Sequence, residues 1–215
     1  IEACLVGSEM CIRDSFNCDC ATNAGTMSQT LLEACEDETV TVISDGNSNN
    51  DGNDVFAYFL HDGNGTVLGT VFQTNTSGIF SYDNSFDLNA TYYVSYVLGN
   101  DDGNGNVDLS EPCLSVAQGT PIVFYENPTP NTGNDTATCG TTFDLAGTSS
   151  IGTGIWTYTP PTASATAAFA NVNDAQTSVT VSETGIYSFT FTETNGICES
   201  SASVNITFDA PSIID

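Results

Sequence analysis

From Thr39 onward the chain alternates apolar and polar positions in short runs, each closed by a cluster of Asp, Asn and Gly. The clearest run is Thr91-Tyr-Tyr-Val-Ser-Tyr-Val-Leu98, with Tyr92, Val94, Tyr96 and Leu98 on one side and Tyr93, Ser95 and Val97 on the other. A period of two fits a pleated strand with one face buried. Similar runs predict strands over Thr39–Val42, Val55–Leu60, Thr66–Phe72, Gly78–Tyr82 and Thr120–Tyr125, with Phe56, Tyr58 and Leu60 sharing a face. His61-Asp-Gly-Asn-Gly65 reads as a hairpin signal, because Asp-Gly and Asn-Gly supply the positive φ of primed turns. With Cys35 at its start, this half carries about seven short strands, the pattern of a β-sandwich.

The second half repeats the pattern. Strands are predicted over Thr141–Leu145, Gly154–Tyr158, Ser178–Val181, Ile186–Thr192 and Ser203–Phe208. Tyr187, Phe189 and Phe191 alternate with Ser188, Thr190 and Thr192. Helix signals are confined to one turn around Ala163–Ala168. The fold class expected is all-β, two sandwich modules in tandem. The divisions are 1–15, a non-native N-terminal segment, and 16–34, the end of a preceding module or a linker. A first module over 35–126 and a linker over 127–135, stiffened by Pro128 and Pro130, lead to a second module over 136–209. Residues 210–215 start the next linker.

Charge narrows the partners. The 27 Asp and Glu face a single basic residue, for a net charge of -26. Such a surface repels nucleic acid and anionic membranes, which need Lys and Arg to replace counterions. No run approaches the roughly 18 apolar residues of a membrane span. The eight cysteines have no clustered metal-ligand spacing, so they predict disulfides and an oxidising, extracellular compartment.

Leu5–Ser15, LVGSEMCIRDS, matches a translated transposon-type sequencing adapter, holds the only basic residue, Arg13, and has no periodicity. Such a segment is a foreign scar rather than part of a fold. Cys18-Asp-Cys20 has no second pair and no nearby His, which argues against zinc. By position, Cys139 and Cys198 are expected to bridge the second module, and Cys35 and Cys113 the first.

The chemistry on offer is that of a hard cation. Counted from Asn100, an EF-hand-type loop would place ligands at Asn100, Asp102, Asn104, Asn106 (through its carbonyl), Asp108 and Glu111, with Gly105 at the bend. The first ligand is Asn rather than Asp and the flanks are strands, and Asp, Asn and Gly are also what plain turns prefer. Asp45, Asn47, Asn49, Asp51 and Asp54 form a second, weaker calcium candidate. No other cofactor is expected. Catalysis has little to work with: there is no Lys, and any Ser/His or Cys/His chemistry would run through His61, read as a surface residue at a strand end. Trp156, the single Trp, is either a sugar platform or a buried sandwich tryptophan.

Gly185-Ile-Tyr187-Ser-Phe189-Thr-Phe191 followed by Asn195-Gly-Ile-Cys198 resembles the closing hairpin of PKD-like, immunoglobulin-type modules. Cys139-Gly, Gly152-Thr-Gly-Ile-Trp156 and Asn173-Asp-Ala fit the same pattern. Cys18-Asp-Cys20, Ala24-Gly-Thr-Met27, Tyr92-Tyr93, Val107-Asp-Leu and Pro112-Cys-Leu-Ser-Val-Ala-Gln-Gly-Thr-Pro are similar to repeats in giant Bacteroidetes cell-surface proteins of the gliding-motility-associated and adhesin-like kind. The resemblance implies a secreted repeat protein exported by the type IX system, with neighbouring repeats of the same chain as partners. Two functions are open at this point. One is a non-catalytic segment for spacing and display, stiffened by calcium; the other is a carbohydrate-binding module pair for a surface polysaccharide.

Overall fold

The computed structural model describes residues 21–50 and 52–211. Leu5–Ser15, Cys18, Cys20 and Asp51 lie outside the described residues. The described chain is all-β and carries no helix. Its strands are β1 (Leu32–Cys35), β2 (Thr39–Thr41), β3 (Asp54–His61), β4 (Val71–Asn75), β5 (Ile79–Ser81), β6 (Thr91–Asn100), β7 (Ser115–Val116) and β8 (Thr120–Tyr125). They continue with β9 (Thr136–Cys139), β10 (Thr142–Asp144), β11 (Thr153–Thr159), β12 (Ala167–Phe169), β13 (Ser178–Val181), β14 (Gly185–Asn195) and β15 (Cys198–Asp209). The chain divides into two compact units. Among the described residues, the first takes 21–32 and those within Glu38–Phe124; the second takes Glu33–Asp37 and 125–211.

In the second unit one sheet runs β11-β14-β15-β9 and the other β10-β13-β12. With β9 parallel to β15 and the other pairs antiparallel, this is immunoglobulin order, A′GFC on one sheet and BED on the other. The alternation seen in the sequence puts Tyr187, Phe189, Phe191, Val204, Ile206 and Phe208 inward, where they pack with Leu145, Trp156, Val179 and Val181. Tyr187, near the start of strand F, donates its hydroxyl to the Glu183 carbonyl 3.1 Å away, the tyrosine corner of such sandwiches. Two sequence expectations change here. The turn at Ala163–Ala168 continues into strand β12 rather than a helix, because Ala167–Phe169 finds an edge on β13. The 127–135 segment is hydrogen-bonded along the unit: Thr129 N–H donates to Ser150 Oγ, Asn131 exchanges backbone bonds with Thr148, and Asp135 accepts from Asn205.

The first unit has the same plan. Its main sheet runs β8-β6-β3-β4, with β7 also on β6, and β2-β5 forms the facing pair. Read as GFCC′ and BE, it has an added strand in the F–G connection. Here too a tyrosine sits near the start of strand F: Tyr92 Oη accepts the Asp87 N–H at 2.9 Å. Tyr58 on strand C pairs with Tyr96 on strand F, as Trp156 pairs with Phe191 in the second unit. One expected strand moves. Thr66–Thr70 stays in a loop and β4 begins only at Val71, because Asp62 and Gly63 close a wide turn through Thr70 N–H and Leu68 O.

The half-buried face expected for the Thr91 run is also revised. From Val94 to Gly99 every residue of β6 is buried, on both faces. On one side Val94 and Tyr96 lie beside the buried Leu60 and Tyr58 of β3. On the other, Ala57, Phe59 and Val97 are covered by Val107, Leu114 and Val116 of the F–G segment and by Leu68 and Val71. The acidic stretch after Asn100 is therefore a lid on the sheet as well as a loop.

Candidate functional site

The topology brings the two acidic stretches to one end of the first unit. Asp45–Asp54 lies in the B–C connection and Asn100–Glu111 in the F–G connection, which share an end in immunoglobulin sandwiches. Asp54 and Asn100 are opposite each other in the β3–β6 ladder, and Asp101 N–H donates to Asn53 O at 3.3 Å. The sequence presents these as separate candidates because nothing in it reports that pairing. A third strip lies against the first of them. Thr22 Oγ1 donates to both Asp54 oxygens, at 3.2 and 2.9 Å, Thr26 Oγ1 donates to Asp45 Oδ2 at 2.6 Å, and Asn23 bridges Asn49. Thr22 and Asn23 had no motif to flag them, and Thr26 stood only in the Ala24-Gly-Thr-Met27 resemblance, with no ligand role.

Within the F–G loop the twelve-place spacing closes on itself. Asn100 donates its backbone N–H to Glu111 Oε1 (2.7 Å) and its Nδ2 to Oε2 (2.6 Å), so the first and twelfth places adjoin. Asp102 N–H reaches Asn106 O and Asp108 N–H reaches Asn100 O, at 2.9 and 2.8 Å. Val107, the eighth place, is buried in the sheet's outer cluster and anchors the loop. Gly103 and Gly105 take φ of 89° and 87°, which a side chain would oppose, and the loop turns there.

The carboxylates point their acceptors at their own backbone. Asp101 Oδ1 accepts from Gly103 and Gly105 N–H, and Asp102 Oδ1 from Asn104 and Asn106 N–H. Asp108 Oδ1 accepts from Ser110 N–H and Oγ. These bonds hold two carboxyls below the usual range: Asp102 chiefly through the Asn104 N–H, Asp108 chiefly through the Ser110 hydroxyl. Both are charged at neutral pH. Asn104 is on the loop's exposed tip, and among the described residues no group of three or more His, Cys, Asp and Glu is gathered to hold a metal ion. Any cation here would be held through Asn and backbone oxygens as much as through carboxylates.

The remaining candidates are corrected. Trp156 is 2% exposed, its ring 5.0 Å from Phe191 and 6.4 Å from Phe169, with Nε1–H donated to Asp174 O at 3.0 Å. Strand C turns it inward, so no sugar can stack on it. His61 is not a surface residue. It is fully buried, with Nε2 2.8 Å from the equally buried Ser95 Oγ and Nδ1 without a hydrogen-bond partner. The spacing is that of a base and a hydroxyl nucleophile, yet neither reaches solvent. The cause is again the two-sided burial of the β3–β6 pair.

The cysteines pair differently from the expectation. Cys35 is disulfide-bonded to Cys198, Cys113 is in another disulfide, and Cys139 is free and exposed. The physical reason is that Tyr125 and Asn127 hold Glu33, Glu36 and Asp37 by hydrogen bonds while Asn195 of the β14–β15 hairpin donates to Glu126 O, which brings Cys35 to Cys198. On β9, Cys139 lies opposite Asp209 at the far end of β15 from Cys198, out of reach of it.

No protein-family model matches the chain, and no curated protein does. Solved structures do. Clostridium thermocellum CbhA fibronectin(III)-like modules share 13% identity, over 87% of this chain and 91% of theirs, with a TM-score of 0.31. The insect immune protein hemolin shares 12%, over 91% of this chain and 49% of its own, at 0.43. A SusE-like, surface-located polysaccharide-binding protein of Bacteroides thetaiotaomicron shares 10%, over 85% of this chain and 34% of its own, at 0.31. The class this chain falls in, all-β with immunoglobulin-like sandwiches, is fixed by its own strand order.

Proposed function

We propose that this chain is a non-catalytic segment of a secreted cell-surface protein, that it spaces and displays neighbouring repeats, and that Asn100–Glu111 binds calcium that stiffens the first unit. The observation that carries the reading is the pair of immunoglobulin-order sandwiches, with polar chemistry collected on one loop end of the first and no exposed aromatic platform at Trp156. The disulfides support an oxidising, extracellular setting. Export by the type IX system rests on the resemblance to Bacteroidetes surface repeats.

Three features support calcium. Glu111 adjoins Asn100, Val107 anchors the eighth place, and Asp102 and Asp108 keep their charge. Extracellular modules of this kind need only affinities of about 10⁻⁴–10⁻³ M. The test is calorimetric titration of calcium into chelator-treated protein. One saturable site is expected, lost in Asp102→Ala/Glu111→Ala, and heats no different from those of magnesium or sodium would remove the calcium reading. A glycan panel should show no retention. Specific retention of a polysaccharide would replace spacing and display with the carbohydrate-binding alternative.

A further inference from the structure

We propose that the Cys35–Cys198 disulfide is a tension bypass. A pull along the chain crosses from residue 35 to residue 198 through the sulfurs, and the residues between carry no load. The inference deepens the display reading, which supplies the setting in which the chain is pulled, but the mechanics stand on connectivity.

The bridge spans 163 positions. Strands β2 to β14 all lie inside that span. A covalent cross-link sets the longest possible end-to-end path, so opening any of these strands cannot lengthen the molecule while the bridge is intact. Both ends of the bridge are well held. Around Cys35, Tyr125 Oη donates to Glu33 Oε1 (2.8 Å), Glu36 N–H donates to Tyr125 O (2.9 Å), and Asn127 donates to Glu36 Oε1 and Asp37 Oδ1 (3.2 and 2.8 Å). Cys198 is 1% exposed, just past the β14–β15 turn, where Asn195 Nδ2 donates to Glu126 O at 2.9 Å.

Beyond the bridge, strand β15 is already taut. Load entering at Cys198 leaves at Asp209, the two ends of β15. A strand rises about 3.3 Å per residue against a limit of about 3.6 Å, so a pull on both its ends stretches it little. It also does not slide β15 past β14 or β9. The second unit thus transmits tension through one extended strand without being unfolded by it. On the other side of the bridge, the loaded path runs through residues 21–32 of the first unit and on through Glu33 to Cys35.

The experiment is single-molecule force spectroscopy on this chain, with handles at its two ends, oxidised and then reduced. The oxidised chain should release no length from within the bridge. Reduction should add about 540–590 Å of contour length, from 163 positions at roughly 3.3–3.6 Å each. Because Cys113 is also disulfide-bonded and reduction opens both bridges, oxidised Cys113→Ser should stay as short as the unsubstituted chain. Contour length does not depend on whether the reduced protein refolds. A gain of hundreds of ångströms in either oxidised protein overturns the bypass and leaves the display reading in place. A chain that proves not to be displayed at a surface would leave the bypass intact.

Discussion

His61 shows what single residues in this chain can hide. Its type and neighbours read as a turn-side surface group, yet it is buried, and burial pulls its pKa below 6.5. The Leu68 backbone, the Asp62 charge and the Gly63 backbone oppose that pull without cancelling it. The folded state therefore keeps His61 neutral while the unfolded chain takes a proton below about pH 6.5. Stability should be flat above that pH and fall as pH drops from it towards the lowered folded value. Thermal melts from pH 7.5 to 5 should show this slope, and His61→Gln should remove it whatever its own stability. An unchanged slope in the variant would mean another group titrates. Asp102 and Asp108 act lower, their contribution being lost as pH falls from the ordinary carboxylate range through their depressed values. Trp156 was legible as one of two alternatives, and strand C decides for the core: Trp156→Ala should cost about 3–5 kcal/mol in denaturant unfolding. A cost under 1 kcal/mol would contradict its burial.

At the scale of elements, alternation was a good guide in the second unit and a partial one in the first. β10, β11, β13, β14 and β15 fall where the period of two puts them, because each shows one face to the core and one to solvent. The Thr91 run could not announce that β6 is covered on both sides, since its cover comes from Leu68 and Val71 before it and from Val107, Leu114 and Val116 after it. Val107 sits in what reads as a turn, and its burial depends on Ala57, Phe59 and Val97 of β3 and β6, which its local sequence does not report. Val107→Ala should cost about 1–2 kcal/mol, at roughly 0.8 kcal/mol per buried methylene group, and loosen the F–G loop. Hydrogen exchange would show that loosening as faster exchange at Asp102 and Asp108 N–H; unchanged exchange would mean the loop does not depend on its anchor. Glu193 is the counterpart in the second unit. Fully buried on β14, it accepts from the Ser149 and Ser150 hydroxyls and from Ser150 N–H. Glu193→Gln leaves at least one of these donors facing an amide and should cost about 1–3 kcal/mol. A neutral effect in chemical denaturation would show that the bonds are dispensable.

For the whole molecule, the sandwiches were legible and the covalent frame was not. Pairing cysteines module by module assumed that Cys35 belongs with the strands after it, whereas Glu33–Asp37 groups with the second unit. Non-reducing peptide mapping should recover a Cys35–Cys198 link and an alkylatable Cys139; a Cys139–Cys198 link would restore the simpler scheme. The acidic loop end was legible as two lists of oxygen ligands, while the ladder that joins them was not. The central claim, two sandwiches of which the first answers to calcium, is tested most directly by differential scanning calorimetry. With calcium at a hundredfold excess over its Kd, binding to the folded form adds about 2.7 kcal/mol. The transition assigned to the first unit by Val107→Ala should rise by several degrees, that assigned to the second by Trp156→Ala should not move, and sodium at equal ionic strength should have a smaller effect. Equal shifts of both transitions, or equal shifts with sodium and calcium, would contradict the account.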